Sequence, residues 1–373
     1  MHFTLHLTNE CNLKCHYCYV HKQAKKQMTV KTARAAIDFA ARNGKSTGIS
    51  FFGGEPLLRK ELIADVVDYA KKIDGRTFSF KITTNGTLLD EDFLKYCTDN
   101  RIMIAISVDG TKAAHDKHRI YKNGEGSYEK VKAAAELLLK YQPYACAMMV
   151  INPDTVGLYA DGVQKLFDIG FAYYICSLNF DKAANWEEKH FDELKRQFDL
   201  LSRMYINWTR AEEKFYFSPF EVKMRSHIDG EQYCAQRCRL GQRQLSVDTD
   251  GRLYPCVQFV GDARYCIGDI RGGTDETKRR ELFEQAERMG EECARCAINR
   301  RCNHNCGCLN KQATGSIDGI SPVLCIHEQL ALFAADKTAE TLISEGNSLF
   351  LQKQYNDMYP LLSLIEDRSK IAR

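Results

Sequence analysis

The chain has 373 residues and a mass of 42.6 kDa, is 44% hydrophobic and 27% charged, and holds only 7 prolines, which excludes disordered and collagen-like classes. Its 52 basic and 49 acidic residues leave a net charge of +3, too balanced to argue for nucleic acid or an anionic membrane as partner. No run of about 18 apolar residues occurs, and the opening MHFTLHLTNECN has neither a basic n-region nor an apolar h-region, so a soluble, cytoplasmic protein is expected.

In chain order, short β-branched or aromatic runs predict strands over residues 3–7, 48–52, 77–83, 103–108, 144–151 and 172–178. Between them lie segments of helical periodicity, for instance 30–42, 60–72 and 128–140. Such alternation implies right-handed crossovers and a parallel sheet, either doubly wound or curled into a barrel. This unit is expected to span residues 1–211. The pattern breaks over 212–232, which reads as a linker. From 233 to 325 the chain holds ten cysteines among short, turn-rich segments. That second domain is too poor in apolar core to stand without a metal staple. A polar helical tail over 326–373 is expected to serve packing or oligomer contact.

The chain carries 16 cysteines, and without an export signal a disulfide framework is disfavoured because the cytosol keeps thiols reduced. Metal is then the leading explanation. Just after the first strand, CNLKCHYC sets Cys11, Cys15 and Cys18 in the spacing CxxxCxxC with no fourth cysteine nearby. Three thiolates suit an iron–sulfur cluster with one open iron; a zinc site completed by His16 or His21, or unliganded thiols, is the alternative. Further motifs follow later strands: GGEP at 53–56, TTNG at 83–86, and SVDG at 107–110 followed by HDKHR ending at Arg119. Glycines let backbone approach a ligand closely, and the Glu55 carboxylate can accept from a cationic amine. Each tetrapeptide alone is an ordinary turn. Together they fall at successive strand ends, where parallel strands open onto a ligand site.

The segment CNLKCHYCY resembles the signature of radical S-adenosylmethionine (SAM) enzymes. The resemblance covers about residues 3–180 and implies a partial (β/α)6 TIM-type barrel in which Cys11, Cys15 and Cys18 hold a [4Fe-4S] cluster and SAM chelates its fourth iron. It further implies that Gly53, Gly54 and Glu55 hold the methionyl amino group, with Thr84 and Asn85 at the same SAM site. Ser107 and Asp109 would serve the ribose region, and Tyr17 resembles the aromatic residue beside the adenine. Arg119 suits the SAM carboxylate through its rigid donor fork.

In the second domain, Cys238 is followed by twelve residues, Gly251, four residues and Cys256. Cys293, Cys296, Cys302 and Cys306 then run as CxxCx5CxxxC, and Cys325 closes the series. This resembles the seven-cysteine SPASM motif of radical SAM peptide and protein maturases, with Cys234 supplying an eighth thiol. By that resemblance Cys234, Cys238, Cys256 and Cys306 hold one auxiliary [4Fe-4S] cluster and Cys293, Cys296, Cys302 and Cys325 the other, three clusters in all. A zinc ribbon on the CxxC pair is the alternative. Of the remaining cysteines, Cys97 and Cys146 read as small buried residues. Cys176 and Asn179 stand near the end of the sixth strand, while Cys266 and Cys308 have no reading.

The resemblance implies an enzyme that cleaves SAM reductively, makes a 5′-deoxyadenosyl radical and abstracts hydrogen from a peptide or protein, drawing electrons from a reductant such as flavodoxin or ferredoxin. A thioether crosslink in a ribosomally made peptide is the favoured product. The first alternative is formylglycine formation by the anaerobic sulfatase maturases. Those enzymes carry an aspartate, thought to act as a base, directly after the cysteine that is here Cys256. This chain has Val257, then Gln258, whose amide cannot take a proton as a carboxylate does. A zinc-stapled binding protein is the alternative of another class. The first strand begins at about residue 3, so leader capture is expected to fall to the barrel rim, the second domain or a separate partner.

Overall fold

A computed structural model describes residues 1–20, 25–230, 238–303 and 306–369. Its elements run β1 (His2–Thr8), α1 (Val30–Arg42), β2 (Ser46–Gly53), α2 (Lys60–Ala70), β3 (Thr77–Thr84), α3 (Glu91–Asp99), β4 (Ile102–Ser107), α4 (Lys112–His118), α5 (Tyr128–Tyr141), β5 (Cys146–Ile151), α6 (Tyr159–Ile169) and β6 (Tyr173–Leu178). Then follow α7 (Glu188–Arg210), β7 (Tyr216–Phe217), α8 (Ser218–Ile228), β8 (Gln244–Val247), β9 (Leu253–Tyr254), α9 (Glu276–Ala286), α10 (Glu291–Ala294), α11 (Gly307–Thr314), α12 (Pro322–Ser344), α13 (Ser348–Tyr355) and α14 (Tyr359–Ser369).

The strand order β7-β6-β5-β4-β3-β2-β1-β8-β9 decides between the two predicted architectures. Strands β1 to β6 lie in sequence order and are all parallel. Every crossover therefore moves one place in the same direction, and right-handed connections put the helices on one face. A sheet covered on one face curls. In β1 the alternation is plain: Phe3, Leu5 and Leu7 are fully buried with the helices, and Phe3 meets Phe39 of α1 edge to face at 5.8 Å. Thr4, His6 and Thr8 point to the concave side. Helix α1 buries Ala33, Ala36, Ile37 and Ala40, the i, i+3, i+4, i+7 stripe, and the Thr29 hydroxyl caps its start by accepting from Thr32 N at 3.1 Å.

The sheet continues past residue 211. The stretch expected as a linker contributes β7, parallel to β6, and α8. The cysteine-rich segment contributes β8, parallel to β1 with Thr4 opposite Ser246. The tail is not merely polar either. Helix α12 starts at Pro322, carries Cys325 in its first turn, and buries Ala331, Ala335, Ala339 and Leu342. Its Thr338 hydroxyl meets Ser202 of α7 at 2.6 Å, and Glu328 pairs with Lys223 of α8 at 2.8 Å. Among the described residues no helix is long and apolar enough to cross a membrane.

Candidate active site

The motifs converge at the carboxyl ends of the parallel strands. After β1, Cys11 accepts from Leu13 N at 3.4 Å and from the Asn85 side-chain amide at 3.7 Å. Donors are thus aimed at the sulfur before any ligand arrives. Burial pushes the Cys11 thiol up to about 11 and the Cys15 thiol up to about 12, with Cys18 raising each further. Three thiols set near one another in a half-buried loop fit a cluster held by three thiolates; loading it would displace their protons.

Glu55 is buried at the end of β2. Its Oε1 accepts from Leu57 N at 2.9 Å and from the Thr84 hydroxyl at 2.7 Å, and its Oε2 accepts from Asn85 N at 2.8 Å. Burial outweighs these bonds and lifts the carboxyl to about 7. Oε2, with one donor, keeps room for a cationic amine. The glycines before it also serve packing. A Cβ on Gly54 would run into the Glu10 carbonyl oxygen, and one on Gly53, whose φ is +131°, into that of Thr8. Their bareness lets the end of β2 pack on the cysteine loop, through Gly54 N to Thr8 O at 2.7 Å and Glu55 N to Glu10 O at 2.8 Å. The close approach is to backbone.

Asp109, after β4, is a buried hub. It accepts from the Tyr17 hydroxyl at 2.7 Å, Arg119 Nε at 2.9 Å, Arg119 Nη2 at 3.2 Å and Val150 N at 2.9 Å. Burial alone would push this carboxyl up, but Arg119 prevails and holds it below the ordinary range. The fork expected at a SAM carboxylate is engaged by Asp109, and the guanidinium also stands 5.3 Å from the Tyr17 ring centre. Ser107 ends β4. Sequence reasoning missed the open side of this site. His16, Tyr17, Cys18, His118, Asn152, Asp154 and Asn179 line one cavity. Asn179 is thus at the site, whereas Cys176 lines a different cleft with Cys238 and Lys223. His118 Nε2 meets Asp154 at 2.8 Å, and Asn179 donates to Asn152 Oδ1 at 2.8 Å. His118 Nδ1 and Asn152 Nδ2 are buried without a partner, which suits a polar ligand between them. His118 lies inside the HDKHR segment without being singled out there, and only the predicted strand end at 151 marks Asn152.

In the second cysteine group, Cys293, Cys296, Cys302 and Cys325 wall a single small pocket with Ile320 and Leu324. Cys256, Cys306 and Cys238 form another group, in which Gln244 Nε2 donates to Cys238 at 3.6 Å. Cys234 lies outside the described residues. Tyr19, unremarked in the sequence, is half-buried where Cys256, Cys18 and Cys308 all act on its hydroxyl; desolvation first, then these thiols, raise it well above its ordinary value. It stands between the first cysteine group and this one.

A singly wound parallel barrel with a three-cysteine loop after β1, and a carboxylate and an arginine hub at the next strand ends, defines a class in which a protein-held cluster and a small cofactor meet at the barrel mouth. The chain belongs to the radical SAM superfamily, whose family model matches residues 5–156, and it is a radical SAM enzyme. It is 32% identical over 277 residues to an uncharacterised protein of Methanocaldococcus jannaschii, covering 72% of this chain and 88% of that one. It is 25% identical over 323 residues to the cysteine-type anaerobic sulfatase-maturating enzyme of Clostridium perfringens, covering 79% and 85%. The radical SAM cyclopropyl synthase TigE of Paramaledivibacter caminithermalis matches 98% of this chain and 74% of its own length at 23% identity. The fold superposes on native anSMEcpe with bound AdoMet and Cp18Cys peptide with a TM-score of 0.80 at 21% identity, covering 92% of this chain and 99% of that one.

Proposed function

We propose that this enzyme oxidatively modifies a ribosomally made peptide or protein, forming a thioether crosslink, with three [4Fe-4S] clusters and SAM as cofactors and a flavodoxin- or ferredoxin-type reductant. SAM held at the first cluster would supply the 5′-deoxyadenosyl radical needed to take a hydrogen from the substrate. Cys11, Cys15 and Cys18 hold that cluster, and Glu55 accepts from the methionyl amine. Gly53, Gly54, Thr84 and Asn85 build the loop that aims Glu55. Asp109 and Ser107 organise the mouth of β4, where Asp109 fixes Tyr17 and Arg119 at the side that would take the adenosyl group. The cavity between Tyr17, His118 and Asn152 would receive that group. Residues 233–325 form the auxiliary-cluster domain, whose cysteines would hold the clusters that take up the second electron.

The reading of clusters over zinc rests on the four cysteines spaced around one pocket. Among the described residues, no three His, Cys, Asp or Glu side chains come close enough together to hold a single ion. The observation that favours a crosslink is the residue pair after Cys256. Val257 offers no base, and the Gln258 side-chain oxygen is engaged, accepting from Gln312 Nε2 at 2.9 Å. Formylglycine formation is the second reading, favoured by the 25% identity to the sulfatase-maturating enzyme. Mass spectrometry of small peptides encoded beside the gene, after co-expression, tests both. A crosslink costs the peptide two hydrogens and one alkylatable thiol while the sulfur stays; formylglycine made from cysteine loses the sulfur. Unmodified peptides throughout would sink the peptide reading.

A further inference from the structure

We infer that the open edge of β6 takes an extended segment of the peptide substrate as an added strand, laid in the cleft between the barrel and the cysteine-rich segment. The inference rests on the peptide reading above and deepens it by naming how that substrate is held. Strand β6 pairs with β5 over its whole length, from Tyr173 opposite Cys146 to Leu178 opposite Ile151. On its other side β7 covers only Tyr173 and Tyr174, because the chain turns into α8 at Ser218. Among the described residues, no strand lies beside 175–178 on that side. The alternation of the ladder says which groups face the gap. Asn179 N donates to Ile151 O at 2.8 Å on the β5 side, while Ala172 O accepts from Tyr216 N at 2.7 Å on the β7 side. Odd-numbered residues thus bond toward β5 and even-numbered ones away from it. Cys176 N, on the open side, donates to the Ser218 hydroxyl at 3.2 Å, where a neighbouring strand would offer a carbonyl. The Cys176 carbonyl and the Leu178 amide face the same way. A strand edge left open in this manner is a template for an extended chain.

The cleft beside that edge suits main chain better than a charged ligand. It holds about 500 Å3 and is walled by Cys176 and Ser177 of β6, Ser218 and Lys223 of α8, His327 of α12, and Cys238. Its lysine and arginine are already matched, Lys223 with Glu328 at 2.8 Å and Arg301 with Asp336 at 2.7 Å. A neutral backbone asks only for hydrogen-bonding groups, and the strand edge supplies them. The cleft also leads to the candidate active site. Phe180 lines it, whereas Asn179 and Asp181 on either side of Phe180 line the cavity of Tyr17 and His118. A strand running along β6 therefore ends where the adenosyl group would lie, with Cys238 of the auxiliary group beside it.

The probe is the small peptide, encoded beside the gene, that co-expression shows to be modified, synthesised in its unmodified form. Calorimetry measures its binding to full-length, anaerobically reconstituted protein with SAM and no reductant, so that no turnover occurs. A series of analogues replaces one backbone amide at a time by an ester, which removes the N–H and keeps the shape. An added strand bonds to β6 through alternate residues only. Affinity should therefore fall about two- to tenfold at every second position over a short stretch, and stay near that of the parent at the positions between. Amide hydrogen exchange of residues 175–178 should slow at saturating peptide. An ester series without the period of two, or unchanged exchange over 175–178, overturns the inference and leaves the peptide reading standing. If no neighbouring peptide is modified, the peptide reading falls and the inference falls with it.

Discussion

His6 is fully buried on the concave face of β1, its ring 5.4 Å from that of Phe52 and neither nitrogen partnered. Burial pushes its pKa down to about 3. The folded ring stays neutral where the unfolded ring, titrating near 6.5, takes up a proton. Stability is therefore lost as pH falls below 6.5, by about 2 kcal/mol at pH 5. In His6→Leu, denaturant unfolding of anaerobic protein should show a loss between pH 7 and pH 5 smaller by that amount; equal losses in both proteins would mean that His6 is solvated or partnered. Asp109 gives a second test at this scale. Removing one member of a buried ion pair costs about 3–5 kcal/mol, whereas one neutral hydrogen bond is worth about 1 kcal/mol. Asp109→Ala should therefore lower the unfolding midpoint far more than Tyr17→Phe, which deletes only the donor to Asp109. Comparable midpoints would remove Asp109 from the centre of the network. The hub was half legible in the sequence: SVDG and Arg119 marked its members, but which charge each would face is a three-dimensional fact.

Among elements, the sequence predicted the barrel strands and helices to within a few residues, and α1 at its observed bounds, because their periodicity is local and strong. It missed β8 and the burial of α12. Four residues of alternating pattern carry little signal, and their partner is more than 230 residues away. Helix α12 is flanked by α7 and α8 and so lacks the one-sided apolar stripe that announces a surface helix. Steric room against the Thr8–Glu10 backbone demands the GGEP glycines, a packing role that the motif alone did not announce. Gly54→Ala should consequently push β2 off the cysteine loop. Iron at the first site should fall while the auxiliary sites keep theirs, read from iron content and from the change in resonance signal on adding SAM. Full iron with normal SAM response would show that the loop yields at little cost.

At the scale of the whole molecule, the barrel and the cysteine-rich segment are tied through α12. Lys223 of α8 and Glu328 of α12 form a buried pair at 2.8 Å, and Glu328 also accepts from Asn303 N at 3.0 Å, next to Cys302. Burial opposes the charge on Glu328, but Lys223 overcomes it and holds the carboxyl far below its usual range. The pair's contribution is present above about pH 4 and is lost on further acidification. Lys223→Met strands the carboxylate and should cost about 3–5 kcal/mol, while the double variant with Glu328→Met should recover most of that. Thermal unfolding of the three proteins checks this, and additive losses would show that the two side chains act independently. The pairing of β1 with β8 has a bearing on how the chain is made. While the ribosome is still extending the chain, β1 has β2 on one side and a bare edge on the other, until residue 247 has emerged. An unpaired hydrophobic strand edge is a template for aggregation, and so late a contact slows folding. Protection of the nascent barrel, by a chaperone or by early loading of its cysteine loop, is then a condition of yield, and fragments ending before β8 should precipitate even though they hold every SAM motif.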